Sequence, residues 1–130
     1  MKVLFEHELV TLTLDERDRL VRYVRTAVPA PSVLTAVATF DQCERAVRQL
    51  GRDDHALLCD VRVAPGNNDP DFEKGIASAR ARFFARFARV ATLVQSATGL
   101  LQVQRLSRDA GERGLVFRDE AEALRYLKGP

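Results

Sequence analysis

One stretch constrains the fold more than any other: His55 to Gly75, HALLCDVRVAPGNNDPDFEKG. Ala56-Leu57-Leu58-Cys59 is an apolar run bounded by polar residues and reads as a buried strand within His55 to Arg62. The run ends in Asp60 and Arg62 and turns through Pro65-Gly66-Asn67-Asn68. It restarts at Asp69-Pro70, an N-cap followed by proline at the first helical position. Strand, loop and helix N-terminus in that order form the unit from which open α/β sheets build sites beyond the carboxyl ends of their strands.

The flanking sequence extends the pattern. Leu9 to Leu14 alternates apolar and polar, a half-buried strand, with Val3-Leu4-Phe5 as its beginning or a separate short strand. Leu20 to Arg25 fits two readings. Leu20, Val21, Val24 and Val28 match a helical stripe, whereas the β-branched content and Pro29 and Pro31 downstream favour a strand. Ser32 caps a helix over Val33 to Leu50 whose apolar stripe is Val33, Val37, Phe40, Ala46, Val47 and Leu50, with Gly51 as the stop. Arg52-Asp53-Asp54 reads as a short exposed link.

The helix from Pro70 is expected to run to about Phe87, contributing Phe72, Ile76, Phe83, Phe84 and Phe87. Val90 to Val94 is a strand. Ser96 to Gly99 is a turn into a helix over Leu100 to Ala110 that carries Leu100, Leu101, Val103 and Leu106. Gly111 and Gly114 bracket a turn, Leu115 to Phe117 is a strand, and Asp119 caps a last helix to Leu127. A hairpin followed by α-β-α-β-α-β-α predicts an α/β fold. Its sheet is mixed and mostly parallel, with an N-terminal antiparallel hairpin and about four helices. No repeat or linker divides residues 1–130, so a single domain is expected.

Composition removes several classes. With 46% hydrophobic and 29% charged residues the chain is an ordinary globule able to bury a core. Cys43 and Cys59 lie in apolar patterns and are too few for a disulfide framework. The N-terminus carries Glu6 and Glu8 where a signal peptide needs an apolar run, and no stretch approaches a membrane span, so a cytoplasmic location is expected. Net charge is only +2, yet Lys74 to Arg108 contains no acid while holding Arg82, Arg86, Arg89, Arg105 and Arg108. Arg82, Arg86 and Arg89 form a stripe if the helix persists that far, and Arg105 and Arg108 are three apart on the next. Such arginines make either a cationic docking surface or a solvated face whose acids lie nearby in space. Nucleic acid is not expected, since no aromatic platform accompanies them.

No reaction is declared. His7 and His55 have no metal-ligand spacing, and phosphate loops and nucleophile elbows are absent from the sequence. Neither a cofactor nor a metal is expected. Asp60 with Asp69 or Asp71 would serve as a carboxylate pair, but a cap at Asp69, a helix-dipole role at Asp71 and an Asp60–Arg62 pair account for all three. Ser96 and Thr98 suit either an anion or a cap. The phenylalanines suit either core or the wall of an apolar pocket.

The element order and the C-terminal run VFRDEAEALRYL, Val116 to Leu127, resemble the SpoIIAA-like, or STAS/SEC14-like, bacterial proteins. Those close on a Phe, an acidic turn, Glu-Ala-Leu and an aromatic-Leu end. Asp60-Val61-Arg62, Pro65-Gly66, Asp69-Pro70 and Phe87 to Ala91 look similar too, and the resemblance extends from about residue 9 onward. It implies a sheet of four or more strands and a role in regulation or ligand binding rather than catalysis. In anti-sigma-factor antagonists of this type a serine in the loop after the central strand is phosphorylated. Here Ala64 to Asp69 has no Ser or Thr, so that switch is not expected. The implied function is a regulatory protein-interaction module that docks a partner, or a second copy of itself, through Asp60, Arg62, Asn67, Asn68, Asp69 and Phe72. The alternative is a carrier or sensor of a small apolar or amphipathic ligand.

Overall fold

The computed structural model describes residues 1–66, 69–109 and 114–129, with the side chains of 106, 107 and 109 left out. Three strands open the chain: β1 Lys2–Glu6, β2 Val10–Asp15 and β3 Leu20–Arg25. They form an antiparallel meander, with one extra residue in β1 between Val3 and Phe5. In β2 the alternation is realised as read, Val10, Leu12 and Leu14 pointing into the core and Thr11 and Thr13 away from it. Leu20 to Arg25 is a strand. It pairs with β2 on one side and with β4 (Ala56–Asp60) on the other, sending Val21 and Tyr23 into the core. The separate strand β1 settles the reading of Val3 to Phe5.

Parallel strands then alternate with helices: α1 Val33–Val47, β4, α2 Pro70–Phe84, β5 Arg89–Leu93, α3 Ala97–Asp109, β6 Leu115–Phe117 and α4 Glu120–Lys128. The strand order is β1-β2-β3-β4-β5-β6. Because each crossover steps the same way along the sheet with the same hand, α1, α2 and α3 share one face, and α4 is left for the other. Two cores result. Leu12, Val21, Tyr23 and Leu57 pack under Phe40, Phe83 and Phe87, while Leu20, Leu58, Ala91 and Leu93 pack under Ala123 and Leu127. The caps are those expected: the Ser32, Asp69 and Asp119 side chains accept from the amides of Thr35, Asp71 and Glu122 at 3.1, 2.9 and 3.2 Å.

Several boundaries differ from the sequence reading, each for a packing reason. α1 stops at Val47, and Arg52–Asp54 is a 3-10 turn rather than an exposed link. Arg52 is 4% exposed, and its guanidinium reaches the carbonyls of Arg82 and Ala85 at the end of α2. α2 ends at Phe84, not Phe87. Ala85 is extended and Arg86 adopts φ 75°, which drops Phe87 into the core and lets the Ala88 amide bond to His55 O. α3 begins three residues early, because Ser96 accepts from the Gly99 amide through its hydroxyl and from Leu100 through its carbonyl. Leu101, expected on the apolar stripe, is 67% exposed. Asn67, Asn68, Ala110 and Gly111, and the side chain of Leu106, lie outside the described residues.

Candidate functional site

The carboxyl ends of β3, β4 and β5 and the helix layer above them border a half-open cavity of about 260 Å³. Its floor follows from strand register. Tyr23 lies beside Cys59 and Cys59 beside Thr92, so a phenol, a thiol and a hydroxyl form one row across the sheet on the helix side. Two residues on, toward the strand ends, Arg25, Val61 and Val94 also line the cavity. The roof is Ala36 and Phe40 from α1, Phe72, Ile76 and Arg80 from α2, and Gly99 and Val103 from α3. The volume exists because residues at the crossing points are small: Ala36, Cys59, Thr92 and Gly99 leave room that larger side chains would fill.

Polar groups in this wall are unevenly satisfied. Thr39 donates to Thr35 O at 2.8 Å, inside its own helix. Arg25 is a clamp, its Nε donating to Leu9 O and its Nη2 to Val28 O, both at 2.9 Å. Those acceptors are neutral, and among the described residues no carboxylate pairs with Arg25. Arg80 is buried with its guanidinium over the Phe84 ring at 4.5 Å. Glu73 is the carboxylate of the lining, held by Gln102 at 3.1 Å and Arg105 at 3.4 Å, which ties α2 to α3. Tyr23 is 3% exposed and Thr92 4%, and neither hydroxyl has a hydrogen-bond partner among the described residues. Burial, with the neighbouring thiols of Cys59 and Cys43, holds the Tyr23 phenol well above its ordinary pKa against the opposing pull of Arg25 and Arg80, so it stays a neutral donor. Cys43 lies outside the cavity, and burial pushes its thiol up to about 12.

The loop residues singled out in the sequence take defined places. Asp60 is buried at the end of β4 and accepts three bonds from Arg62: from its amide at 3.1 Å, Nε at 3.0 Å and Nη2 at 2.8 Å. The same Nη2 reaches Glu120 of α4 at 3.0 Å. Asp69 serves as the α2 cap, and Phe72 lines the cavity. The loop is therefore pinned at its start, while Val63 in its middle is 61% exposed. The arginines do not make one surface. Arg82 sits on α2, Arg86 in the turn and Arg89 in β5, so the three-residue stripe is not formed. Arg82 faces Asp41 at 3.2 Å, Arg86 faces Asp53 at 3.9 Å and Arg105 faces Glu73. Arg89 lies over the Tyr126 ring at 5.1 Å. Arg108 is exposed.

Burial works to raise the Asp60 pKa, but the bonds and charge of Arg62, with Arg22 behind, outweigh it and hold the carboxyl below its usual value. A depressed carboxylate contributes stability that is whole above the unfolded pKa, about 4, and is lost as pH falls through the folded value. Stability from this group should therefore be flat from neutral pH down to about 5 and fall only in acid. In Arg62→Met the carboxyl loses what holds its pKa down, so the variant should be less stable than the parent at pH 7 and the gap should narrow in acid, read by urea titration at pH 7 and pH 3. A stability difference that is the same at both pH values would contradict the assignment.

Neither a family model nor a curated protein sequence matches the chain. A solved structure does. It is the crystal structure of an uncharacterized protein from Shewanella loihica PV-4, of the DUF3478 family and described as having a SpoIIAA-like fold. The TM-score is 0.64 over 91% of each chain. The chain has a SpoIIAA-like fold. Sequence identity is 14%, so the SpoIIAA-like relationship is one of architecture: the antiparallel entry, the sequential parallel strands and the closing helix. It agrees with the resemblance carried by Val116 to Leu127. Among the described residues no three His, Cys, Asp or Glu side chains are grouped to hold a metal, and no helix is long and apolar enough to cross a membrane.

Sequence reasoning missed Tyr23, Arg25, Arg80 and Thr92 as wall residues. Arg80 had a signal: Ile76, Arg80 and Phe84 are spaced by four, which places a charge on the buried side of α2. Tyr23 and Thr92 had only a weak one, a hydroxyl interrupting an otherwise apolar strand.

Proposed function

We propose that this domain is a non-enzymatic, STAS-like regulatory module whose working site is the cavity, where it holds a small apolar or amphipathic ligand. One observation carries the reading. About 260 Å³ is kept open between sheet and helices at the strand ends, walled by Phe40, Phe72 and Ile76 with a few polar groups among them. That is just below the usual range for small-molecule sites, roughly 300–1,000 Å³, and suits a metabolite rather than a two-chain lipid.

Native mass spectrometry of gently purified protein, beside a denatured sample, tests it. The expected result is extra mass that denaturation releases and that Ala36→Phe, which fills the cavity, prevents from binding. Cys59 supplies an independent readout. In a Cys43→Ala background its reaction with a small methanethiosulfonate should slow when the ligand is bound. Apo protein whose Cys59 reactivity no small molecule alters would overturn the reading.

A second reading, docking of a protein partner, draws support from the exposed Val63 on a loop pinned by Asp60, Arg62 and Glu120. It would use Asp60, Arg62, Asn67, Asn68, Asp69 and Phe72, and it is compatible with the first because Arg62 and Phe72 also line the cavity. Asn68→Arg adds bulk and charge to this loop. Capture of a defined partner unchanged by that substitution would remove the loop from the interface.

A further inference from the structure

The cavity is not a neutral oil-filled space. Of the charged side chains that line it, Arg25, Arg62 and Arg80 are cationic and Glu73 is anionic. Arg62 is offset by Asp60 and Glu120, and Glu73 is engaged by Arg105 and Gln102. Arg25 keeps its charge, since both of its bonds end on backbone carbonyls. Arg25 is half-buried and its field acts on a half-open site with a largely apolar wall, where a cation without a counter-charge favours an incoming anion.

The floor adds direction. The Tyr23 hydroxyl is a donor at the inner end of the cavity, in an environment that keeps it protonated, and it has nothing to donate to among the described residues. Thr92, two strands along the same row, offers a second hydroxyl in the same condition. Neither oxygen is sealed away from the cavity, so both are open to a ligand's acceptors. The apolar part of the lining sets the body, although Thr39, Gln95, Ser96 and Gln102 also line the cavity. Ala36, Phe40, Phe72, Ile76, Val94 and Val103 give that body no polar partner. A cavity of roughly 150 Å³ accepts benzene, so about 260 Å³ accepts about ten non-hydrogen atoms.

Resting on the cavity reading above, we infer that the ligand is a small organic monoacid of about ten non-hydrogen atoms. Its carboxylate is held by the Tyr23 and Thr92 hydroxyls within the field of Arg25, and its apolar body lies against Phe40, Phe72 and Ile76.

Calorimetric titration with octanoate, 1-nonanol and octylamine separates the possibilities, because the three are close in size and differ in the head. Octanoate should bind at least ten-fold more tightly than the alcohol, and the amine should not bind. Tyr23→Phe should weaken octanoate by about ten-fold or more, the worth of a bond to a charged acceptor, and leave the alcohol unaffected. Because the hydroxyl has no protein partner to lose, the same substitution should leave the melting temperature unchanged or higher. Thr92→Val should act in the same sense. Equal binding of octanoate and nonanol, both blocked by Ala36→Phe and both indifferent to Tyr23→Phe, would overturn the acid and leave the cavity as a neutral apolar site. Octanoate binding that survives Ala36→Phe would place it outside the cavity and overturn the inference. No binding by any of the three, in a protein that carries no extra mass, would overturn the cavity reading along with it.

Discussion

Phe83→Ala is expected to remove about 3–5 kcal/mol of stability, the range for truncating a fully buried phenylalanine. Phe83 sits where the aromatic residues of three elements converge. Its ring lies 5.5 Å from Tyr23, 6.4 Å from Phe40, 5.9 Å from Phe84 and 6.0 Å from Phe87. These tilted and edge-on contacts contribute beyond the area they bury. The surrounding rings are large and flat, so they collapse poorly into the vacated space, which puts the loss at the upper end of the range. Against a total of about 5–15 kcal/mol the variant should melt at least about 10 °C lower, or not fold at 37 °C. Urea titration is the measurement. A midpoint unchanged from the parent would mean that the aromatic cluster is not the centre of the core.

Arg52→Met should cost about 2–3 kcal/mol, an unusual penalty for a residue in a short link. The side chain is buried and crosses from the 3-10 turn to the carbonyls of Arg82 and Ala85 at 3.4 and 3.2 Å, with Glu44 at 3.3 Å. Those carbonyls are end groups of α2 that no later turn of helix satisfies. Methionine fills the volume but offers no donors, so the orphaned acceptors set the loss. Glu44 softens it, because Arg48 still holds that carboxylate at 2.7 Å in partly exposed surroundings. Losing a buried pair outright would cost more, about 3–5 kcal/mol. Arg86→Ala is the control. It removes the same charge nearby but from an exposed pair at 3.9 Å, and should change stability by less than about 0.5 kcal/mol. Equal melting temperatures for the two variants would show that Arg52 is not a staple.

The comparison of these arginines explains what could be read from the chain and what could not. Element type was legible wherever periodicity and punctuation agreed: Asp69-Pro70 starts α2, Asp119 caps α4, and the alternation of Leu9 to Leu14 is β2. Leu20 to Arg25 was decided by β-branching over a competing helical stripe, and pairing with strands on both sides stabilises that outcome. The end of α2 was not legible. Nothing local stops a helix at Phe84; the burial of Phe87 and the capture of Ala85 O by Arg52 do, and both are tertiary. The site divides in the same way. The strand-loop-helix pattern pointed to the strand ends, and the cavity lies there. Which side chains meet there depends on the register of β3, β4 and β5, which aligns Tyr23, Cys59 and Thr92 although they are more than thirty residues apart.

Strand order has one more consequence, for how the molecule comes into being. Every strand pairs with its neighbour in the chain, so each pairing closes a single hairpin or crossover and none waits for the far terminus. A chain emerging from the ribosome can lay down the meander first and then add β4, β5 and β6 outward from it, in the order of synthesis. The exception is the second face. Leu20, Leu58, Ala91 and Leu93 belong to strands laid down early, but their cover, Ala123 and Leu127, arrives with the last nine-residue helix. Until α4 docks, that side of the sheet leaves its apolar residues uncovered, so the Asp119 cap that starts α4 serves the covering of a whole face.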